Sequence, residues 1–219
     1  MKKELMSILK EPINRLLSGF EKEIIQFASN RILEYQVEEY NRNSFVKTII
    51  HRTEPIQIDK IYQPLFVKEP NVYDEDLRDV RISTKNVDEL FKNRQFITII
   101  GSAGSGKSML VKKLFLSTIS QKEKIPIKIE LRYLNEFEGG LKSYVFEEKL
   151  KFEKIATDDD KVNRLLESGK FVFFLDGYDE VNSSKKFIVT KQINDFVRRY
   201  NNNSYLLTSR PFTNIELFP

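Results

Sequence analysis

The sequence predicts an α/β fold in three layers, in which a mostly parallel sheet lies between helices. Three observations favour this class. After residue 95, short apolar runs alternate with longer segments of helical periodicity, which is typical of parallel strands joined by right-handed crossovers. The run Phe171–Leu175 is apolar at every position, as expected of a strand buried on both faces. A glycine-rich loop at 101–108 joins another such run to a helical segment.

The N-terminal part reads as a small helical subdomain, residues 1–50. The 219 residues suffice for one core with such an appendage, since domains take about 100–200 residues. Between Leu5 and Ile50, apolar residues recur at helical spacing and predict two or three amphipathic helices. Pro12 is placed to begin the second helix, and Ser44 to cap a third after a break at 41–44. We interpret the apolar stripe as facing the core, with a membrane or a partner helix as the alternative.

Residues 51–85 read as an extended connector, because prolines at 55, 64 and 70 disfavour helix and Ile61–Val67 resembles a short strand. Residues 86–219 form the predicted α/β domain. Its elements in this prediction are a short helix at 86–92, strands at 95–100, 125–131, 171–175 and 204–208, and helices at 107–120, 141–150, 159–167 and 185–200.

The composition excludes several functional classes. Cysteine is absent and His51 is the single histidine, so disulfides, thiolate metal sites and His-rich zinc sites are ruled out. The net charge of +4 is far from the dense cationic stripe of a dedicated nucleic-acid binder. No apolar stretch approaches the roughly 18–20 residues that span a bilayer, and the N-terminus lacks a secretory h-region. We therefore expect a cytoplasmic protein that binds no membrane.

The segment Gly101–Ser108 fits G-x-x-x-x-G-K-[ST], the Walker A pattern of a phosphate-binding loop, and directly follows a strand-like run. Its glycines permit positive φ, which turns backbone N–H groups inward as a cradle for phosphate. Lys107 would reach the β- and γ-phosphates, and the Ser108 hydroxyl would bind Mg²⁺ above the helix N-terminus. The predicted nucleotide-binding residues are Gly101, Ser102, Ala103, Gly104, Ser105, Gly106, Lys107, Ser108 and Met109.

Acidic and basic side chains follow the later strands. Asp176 directly follows the all-apolar strand, and ligands bind beyond the carboxyl ends of parallel strands, so we expect Asp176 to hold Mg²⁺ together with Ser108. Glu180 is the first candidate to orient or deprotonate the attacking water, and Asp179 the second. Arg210, after the last strand, is the candidate to sense or stabilise the γ-phosphate.

The loop together with Leu175–Glu180 and Leu207–Pro211 resembles the NACHT family of signal-transduction NTPases, which belongs to the STAND class. The resemblance covers about residues 96–211, and Ile125–Arg132 is similar to the family's second strand. It implies a P-loop NTPase fold of the ASCE type. It also implies that the Walker B acid Asp176 serves the metal, that the following acidic pair supports hydrolysis, and that the arginine of Thr-Ser-Arg-Pro is a sensor.

The same resemblance implies a switch controlled by ATP, ADP and Mg²⁺ that forms a homo-oligomer when a C-terminal region detects a signal. This is the family's role in animal inflammasome-type receptors and bacterial anti-phage defence, and the composition rich in lysine, isoleucine and asparagine favours the bacterial branch. Family members continue through helical and winged-helix segments. With Pro219 as its last residue, we expect this chain to be the N-terminal portion of a longer ATPase and to have weak or no turnover alone.

Two other functions remain as alternatives. An AAA-type ATPase motor would need an arginine finger and a lid, and an interaction module would bind nucleotide without turnover; Glu180 argues against the second. A small GTPase fits poorly, because Thr190-Lys191-Gln192-Ile193 has isoleucine where the guanine motif needs an acid. Adenine is therefore preferred by elimination and by resemblance.

Overall fold

The computed structural model describes residues 2–47, 53–68, 81–84, 87–92, 94–151, 159–211 and 218. The helices are α1 (Lys2–Leu17), α2 (Lys22–Ser44), α3 (Ile58–Ile61), α4 (Val87–Phe91), α5 (Lys107–Gln121), α6 (Gly140–Ser143), α7 (Asp159–Glu167) and α8 (Ser183–Arg199). The strands are β1 (Phe45–Val46), β2 (Ile56–Gln57), β3 (Phe66–Lys68), β4 (Arg81–Ser83), β5 (Phe96–Ile100), β6 (Ile125–Glu130), β7 (Phe171–Asp176) and β8 (Ser204–Ser209). Short 3-10 turns lie at Leu131–Asn135 and Tyr178–Glu180, and a π-type turn at Tyr144–Lys149 continues α6.

A parallel sheet in the order β5-β8-β7-β6 confirms the predicted α/β class. Its strands match the predicted runs to within about a residue or two, because uninterrupted apolar runs bounded by polar residues are a clear local signal. The register places Glu130 beside Asp176, and Ile100 beside Ser209. The carboxyl ends of the strands therefore meet at one edge of the sheet, where a ligand of this fold class binds.

Helices cover both faces of the sheet. Consecutive residues of a strand point to opposite faces, and on β7 both faces are apolar. The Phe174 ring contacts Phe115 of α5, with ring centroids 6.3 Å apart, whereas Phe173 meets Phe196 of α8 edge-on at 5.1 Å. Helix α2 packs on the α5 side, where Tyr35 contacts Phe115 at 6.4 Å. The N-terminal helices thus share the core of the sheet domain.

The prediction that Pro12 begins a second helix is wrong. Pro12 lies inside α1, which continues to Leu17, and the chain turns only at residues 18–21. A proline inside a helix removes one backbone hydrogen bond and costs about 3 kcal/mol. Leu9, Ile13 and Leu17 lie on the same face on both sides of the proline and are all buried. Their packing holds the helix together across the local defect.

The predicted break at 41–44, with Ser44 as the cap of a third helix, is also wrong. Helix α2 includes these residues, and strand β1 follows at once. The polar side chains bond backwards along the helix, since the Ser44 hydroxyl donates to the Tyr40 carbonyl at 2.6 Å and Asn43 Nδ2 donates to the Glu39 carbonyl at 2.7 Å. Such bonds to carbonyls of the preceding turn allow short polar residues to occupy the last turn of a helix. Residues 48–50, the rest of the predicted third helix, lie outside the described residues.

The connector contains more local structure than predicted. Of the expected strand Ile61–Val67, only Phe66 and Val67 are in β3, which pairs with β4 as a short antiparallel ladder, and Ile61 ends the helical turn α3. Pro70 lies outside the described residues, as do all of 69–80. The division of the chain at residues 50 and 85 stays a prediction.

Candidate nucleotide-binding site

The glycine-rich loop connects β5 to α5 and takes the backbone conformation that its glycines permit. Gly104 and Gly106 have φ of +76° and +89°, a left-handed region that strains any residue with a Cβ. Gly106 is the residue from which α5 starts. The Gly101 N–H donates to the Ser209 carbonyl at 3.1 Å, which extends the β5–β8 ladder and fixes the entrance of the loop.

The Lys107 ammonium lies inside this loop. Its Nζ donates to the carbonyl of Gly101 at 2.6 Å and to that of Ser102 at 2.9 Å, and lies 3.5 Å from Ser105 Oγ. The two residues at the start of the predicted motif thus supply carbonyls that position the lysine. A phosphate oxygen entering the loop would meet a cation already in place.

One cavity of about 320 Å³ brings the remaining predicted residues together. It lies at the carboxyl edge of the sheet, between the loop and the segments that follow β7 and β8. Its lining includes the following predicted residues: Ala103, Gly104, Ser105, Gly106, Lys107, Ser108, Met109, Asp176, Asp179, Glu180 and Arg210. The arrangement follows from the parallel topology of the four-stranded sheet, which places the carboxyl ends of its strands on the same side. The individual roles of these residues remain predictions.

Thr208 fixes the carboxylate of Asp176. The Thr208 hydroxyl is fully buried, donates to Asp176 Oδ1 at 2.6 Å and accepts the Gly177 N–H at 2.9 Å. A single hydroxyl therefore orients both the candidate metal ligand and the start of the acidic segment. Ser108 lines the same cavity, so the site offers a carboxylate and a hydroxyl, oxygen ligands of the kind that Mg²⁺ prefers. These two residues fit a Mg²⁺ ion shared with phosphate and water.

We expect Thr208→Val to remove the link between the Asp176 carboxylate and the Gly177 backbone at little steric cost, because valine has nearly the shape of threonine. The change leaves the Gly177 N–H without its acceptor and Asp176 without its donor, at a cost of about 1–3 kcal/mol in unfolding free energy. The Mg²⁺-dependent part of nucleotide binding should weaken as well, since Asp176 is no longer oriented. Urea unfolding and titrations of nucleotide with and without Mg²⁺ measure the two effects. A variant as stable as the parent would show that the hydroxyl is not a structural link.

Asp179 and Arg210 form a clamp between the segments after β7 and β8. Arg210 Nε lies 2.8 Å from Asp179 Oδ2, and the Arg210 backbone N–H donates to Asp179 Oδ1 at 3.1 Å. The Asp179 side chain is only 12% exposed, whereas that of Arg210 is 55% exposed. Both oxygens of Asp179 are thereby engaged with the candidate sensor arginine, so this carboxylate is poorly placed to take a proton from water.

Glu180 is held differently. Its side chain is 44% exposed, and its Oε2 lies 3.7 Å from Arg132 Nη1. Asn135 brackets its backbone, since Asn135 Nδ2 donates to the Glu180 carbonyl at 3.0 Å and Asn135 Oδ1 accepts the Asn182 N–H at 2.8 Å. Arg132 and Asn135 lie in the turn after β6, at the same edge of the sheet. The sequence did not single out Arg132, Asn135 or Thr208. Arg132 directly follows a predicted strand and Thr208 ends another, which was a usable signal, whereas Asn135 lies farther along the turn and had no such signal.

A second cavity, of about 600 Å³, adjoins the loop. It lies between the exposed edge of β5 and the β3–β4 ladder, and its lining includes Gly101, Lys107 and the apolar side chains of Leu65, Val67 and Ile97. Its volume and apolar walls are those of an ordinary small-molecule pocket.

The parallel sheet, the glycine-rich loop between β5 and α5, and the acidic edge define a P-loop NTPase fold. The NACHT domain family matches residues 95–217, more than half of the chain, and the chain belongs to this family. No curated protein matches the sequence. Among solved structures, the chain is similar to one described as the structure of C. elegans PCH-2, at 22% identity over 53% of this chain and 30% of that chain, with a TM-score of 0.31. Within the described residues, no helix has the length and hydropathy needed to cross a membrane.

Proposed function

We propose that this chain is the nucleotide-binding part of a signalling switch that binds ATP and ADP with Mg²⁺ and hydrolyses ATP slowly. Membership of the NACHT family supports nucleotide binding. The observation that carries the proposal is the cavity in which the Gly104–Met109 loop, the Asp176 carboxylate and the Glu180 carboxylate face one another. In-line attack on a γ-phosphate needs a cation on the phosphates, a metal held by hard oxygens and a carboxylate for the water. One cavity brings together Lys107 as the cation, the oxygens of Ser108 and Asp176 that would hold the metal, and the carboxylate of Glu180.

The apolar cavity beside the loop favours a nucleotide as the ligand over inorganic phosphate. It shares Lys107 with the loop, so a ligand with phosphates in the loop can reach it. Its walls of Leu65, Val67 and Ile97 suit the face of a base. In this proposal the triphosphate fixes the position of the nucleotide in the loop, and burial of the base adds affinity. Oligomerisation on activation and a role in defence belong to the same proposal and rest on the family's known roles.

Thermal unfolding of the purified chain with ATP, ADP, GTP and pyrophosphate, each with and without Mg²⁺, tests nucleotide binding. Ligand at 100 times its dissociation constant stabilises the folded state by about 2.7 kcal/mol, which corresponds to a shift of roughly 5–10 °C for a chain of this size. We expect this shift with ATP and ADP and a smaller one with pyrophosphate, which lacks the base. Mg²⁺ should increase the shift with ATP.

A matched control comes from helix α5 itself. Lys113 lies farther along the same helix, pairs with Asp59, and does not line the loop cavity. Lys113→Ala should keep the nucleotide shift, whereas a substitution within the loop should remove it. Equal shifts with ATP and pyrophosphate would reduce the site to a phosphate-binding loop. A cooperatively folding chain that no nucleotide stabilises would contradict the proposal.

A further inference from the structure

Helix α2 covers the outer edge of strand β6. Strand β6 ends the described sheet, so backbone groups on its outer side need partners from elsewhere. The Tyr35 hydroxyl of α2 accepts the Lys128 N–H at 2.8 Å. Burial, the largest influence, raises the pKa of Tyr35 well above its usual value, so the hydroxyl keeps its proton. The N-terminal helices are therefore joined to the sheet by directional bonds in addition to apolar packing.

Beside this bond lies a buried lysine. The Lys128 side chain is only 3% exposed, and its Nζ donates to Asn43 Oδ1 of α2 at 2.8 Å. The Asn43 side chain is itself fixed, because Asn43 Nδ2 donates to Glu39 Oε2 at 2.9 Å. On the other side, Lys128 Nζ lies 3.4 Å from Glu130 Oε1, two residues farther along β6. The ammonium thus bridges the helix and the carboxyl end of the strand.

The chain of contacts continues to the candidate catalytic carboxylate. Glu130 Oε2 pairs with Arg132 Nη2, and Arg132 Nη1 lies 3.7 Å from Glu180 Oε2. Burial alone would raise the pKa of Glu130, but the nearby charges of Lys128 and Arg132 outweigh it, so the pKa is lowered overall. Glu130 therefore stays ionised and is shared between the two cations. An uninterrupted series of polar contacts runs from α2 to the cavity.

A buried ammonium is a costly way to join a helix to a strand. Replacing a buried ion pair by apolar residues is often neutral or stabilising, whereas removing one partner leaves a charge uncompensated and costs several kcal/mol. Lys128 is tolerated while Asn43 and Glu130 both remain in place. If α2 moves away from β6, Lys128 loses its hydrogen bond to Asn43 and must move closer to Glu130. Lys128 then competes with Arg132 for the Glu130 carboxylate. The position of α2 and the direction of Arg132 are therefore linked.

We propose that Lys128 is a positioning residue for hydrolysis, which transmits the seating of α2 on β6 through Glu130 and Arg132 to the carboxylate of Glu180. The N-terminal helices then control turnover, while the nucleotide affinity set by the loop stays unchanged. This inference rests on the proposed function for its effect on hydrolysis. The mechanical link between α2 and the Glu180 segment is independent of it.

Three variants interrupt the series at different points: Asn43→Ala on the helix, Lys128→Met on the strand, and Arg132→Met at the exposed end. Glu38→Gln is the matched control, because Glu38 of α2 also pairs across to the sheet domain, with Lys151 at 3.2 Å. Among the described residues, this pair does not lead to Glu180. In single-turnover hydrolysis with excess protein, we expect each of the three to be about threefold to tenfold slower than the parent, with an unchanged dissociation constant for ATP. Arg132→Lys, which keeps the cation, should recover part of the rate.

Hydrogen exchange of the peptide covering residues 177–182 is the second measurement, and it does not depend on turnover. Asn43→Ala and Lys128→Met should speed exchange of this distant segment, and Glu38→Gln should not. If Lys128→Met fails to fold, Asn43→Ala and Arg132→Met still decide the question. Rates and exchange equal to those of Glu38→Gln in all three would overturn the inference. A parent that binds no nucleotide would instead overturn the proposed function, and the exchange data would still test the link.

Discussion

Replacing Lys107 by alanine is expected to weaken ATP binding by at least about a hundredfold, or about 2.7 kcal/mol. Each charge-assisted hydrogen bond contributes about 1.5–3 kcal/mol, and the ammonium can bond to both the β- and the γ-phosphate. The structure adds a reason to expect the full loss. Lys107 Nζ is already held inside the loop by the carbonyls of Gly101 and Ser102, so little ordering is required when phosphate arrives.

The fold should tolerate this substitution. Without nucleotide, the lysine bonds to two carbonyls at the surface of the site, and water can replace it there. We expect the thermal midpoint of the ligand-free variant to stay within a few degrees of the parent, while calorimetric titration with ATP detects no binding in the concentration range used for the parent. Lys113→Ala, on the same helix, should bind like the parent. An affinity within about threefold of the parent would show that Lys107 does not contribute to ATP binding.

The elements nearest to the phosphate loop were the most predictable from the sequence. The strand before the loop and the strand before Asp176 are apolar runs of the right length, and the glycines at 104 and 106 have the positive φ that the motif requires. Because the four strands of this sheet, β5 to β8, are parallel, the residues that follow each of them must meet at one edge. Asp176 and Arg210 could therefore be placed at one site without knowing the strand order.

The N-terminal helices were less predictable, because tertiary contacts override local preferences there. Pro12 is a helix-starting residue by its local chemistry, yet burial of Ile13 and Leu17 extends the helix through it. Ser44 reads as a cap, but its hydroxyl finds a nearer acceptor in the preceding turn. The series from Asn43 to Glu180 was hidden for another reason. Its members are distant in sequence. The pattern around Lys128 also does not distinguish a buried lysine from a lysine on the exposed face of a strand.

Replacing Glu180 by glutamine is expected to stop hydrolysis while leaving nucleotide binding intact. A positioned general base contributes about 10²- to 10⁴-fold, and the amide cannot accept a proton at neutral pH. The structure favours Glu180 over Asp179 for this role. Glu180 is 44% exposed in the cavity, with Arg132 near one oxygen, whereas both oxygens of Asp179 are bound to Arg210. Single-turnover hydrolysis of γ-labelled ATP with excess protein detects even slow cleavage by this chain.

Asp179→Asn provides the matched comparison, because it makes the same chemical change in the neighbouring residue. Asparagine can still accept the Arg210 N–H but loses the charge that holds the guanidinium, so this variant should alter the response to the γ-phosphate and retain part of the cleavage. The two variants thus distinguish a general base, the role expected of Glu180, from a residue that holds Arg210, the role expected of Asp179. Glu180→Gln should show the larger loss in rate and an unchanged affinity for ATP. If Asp179→Asn stops cleavage while Glu180→Gln cleaves like the parent, the roles of the two carboxylates are reversed, and the Arg210 clamp must open before the water is activated.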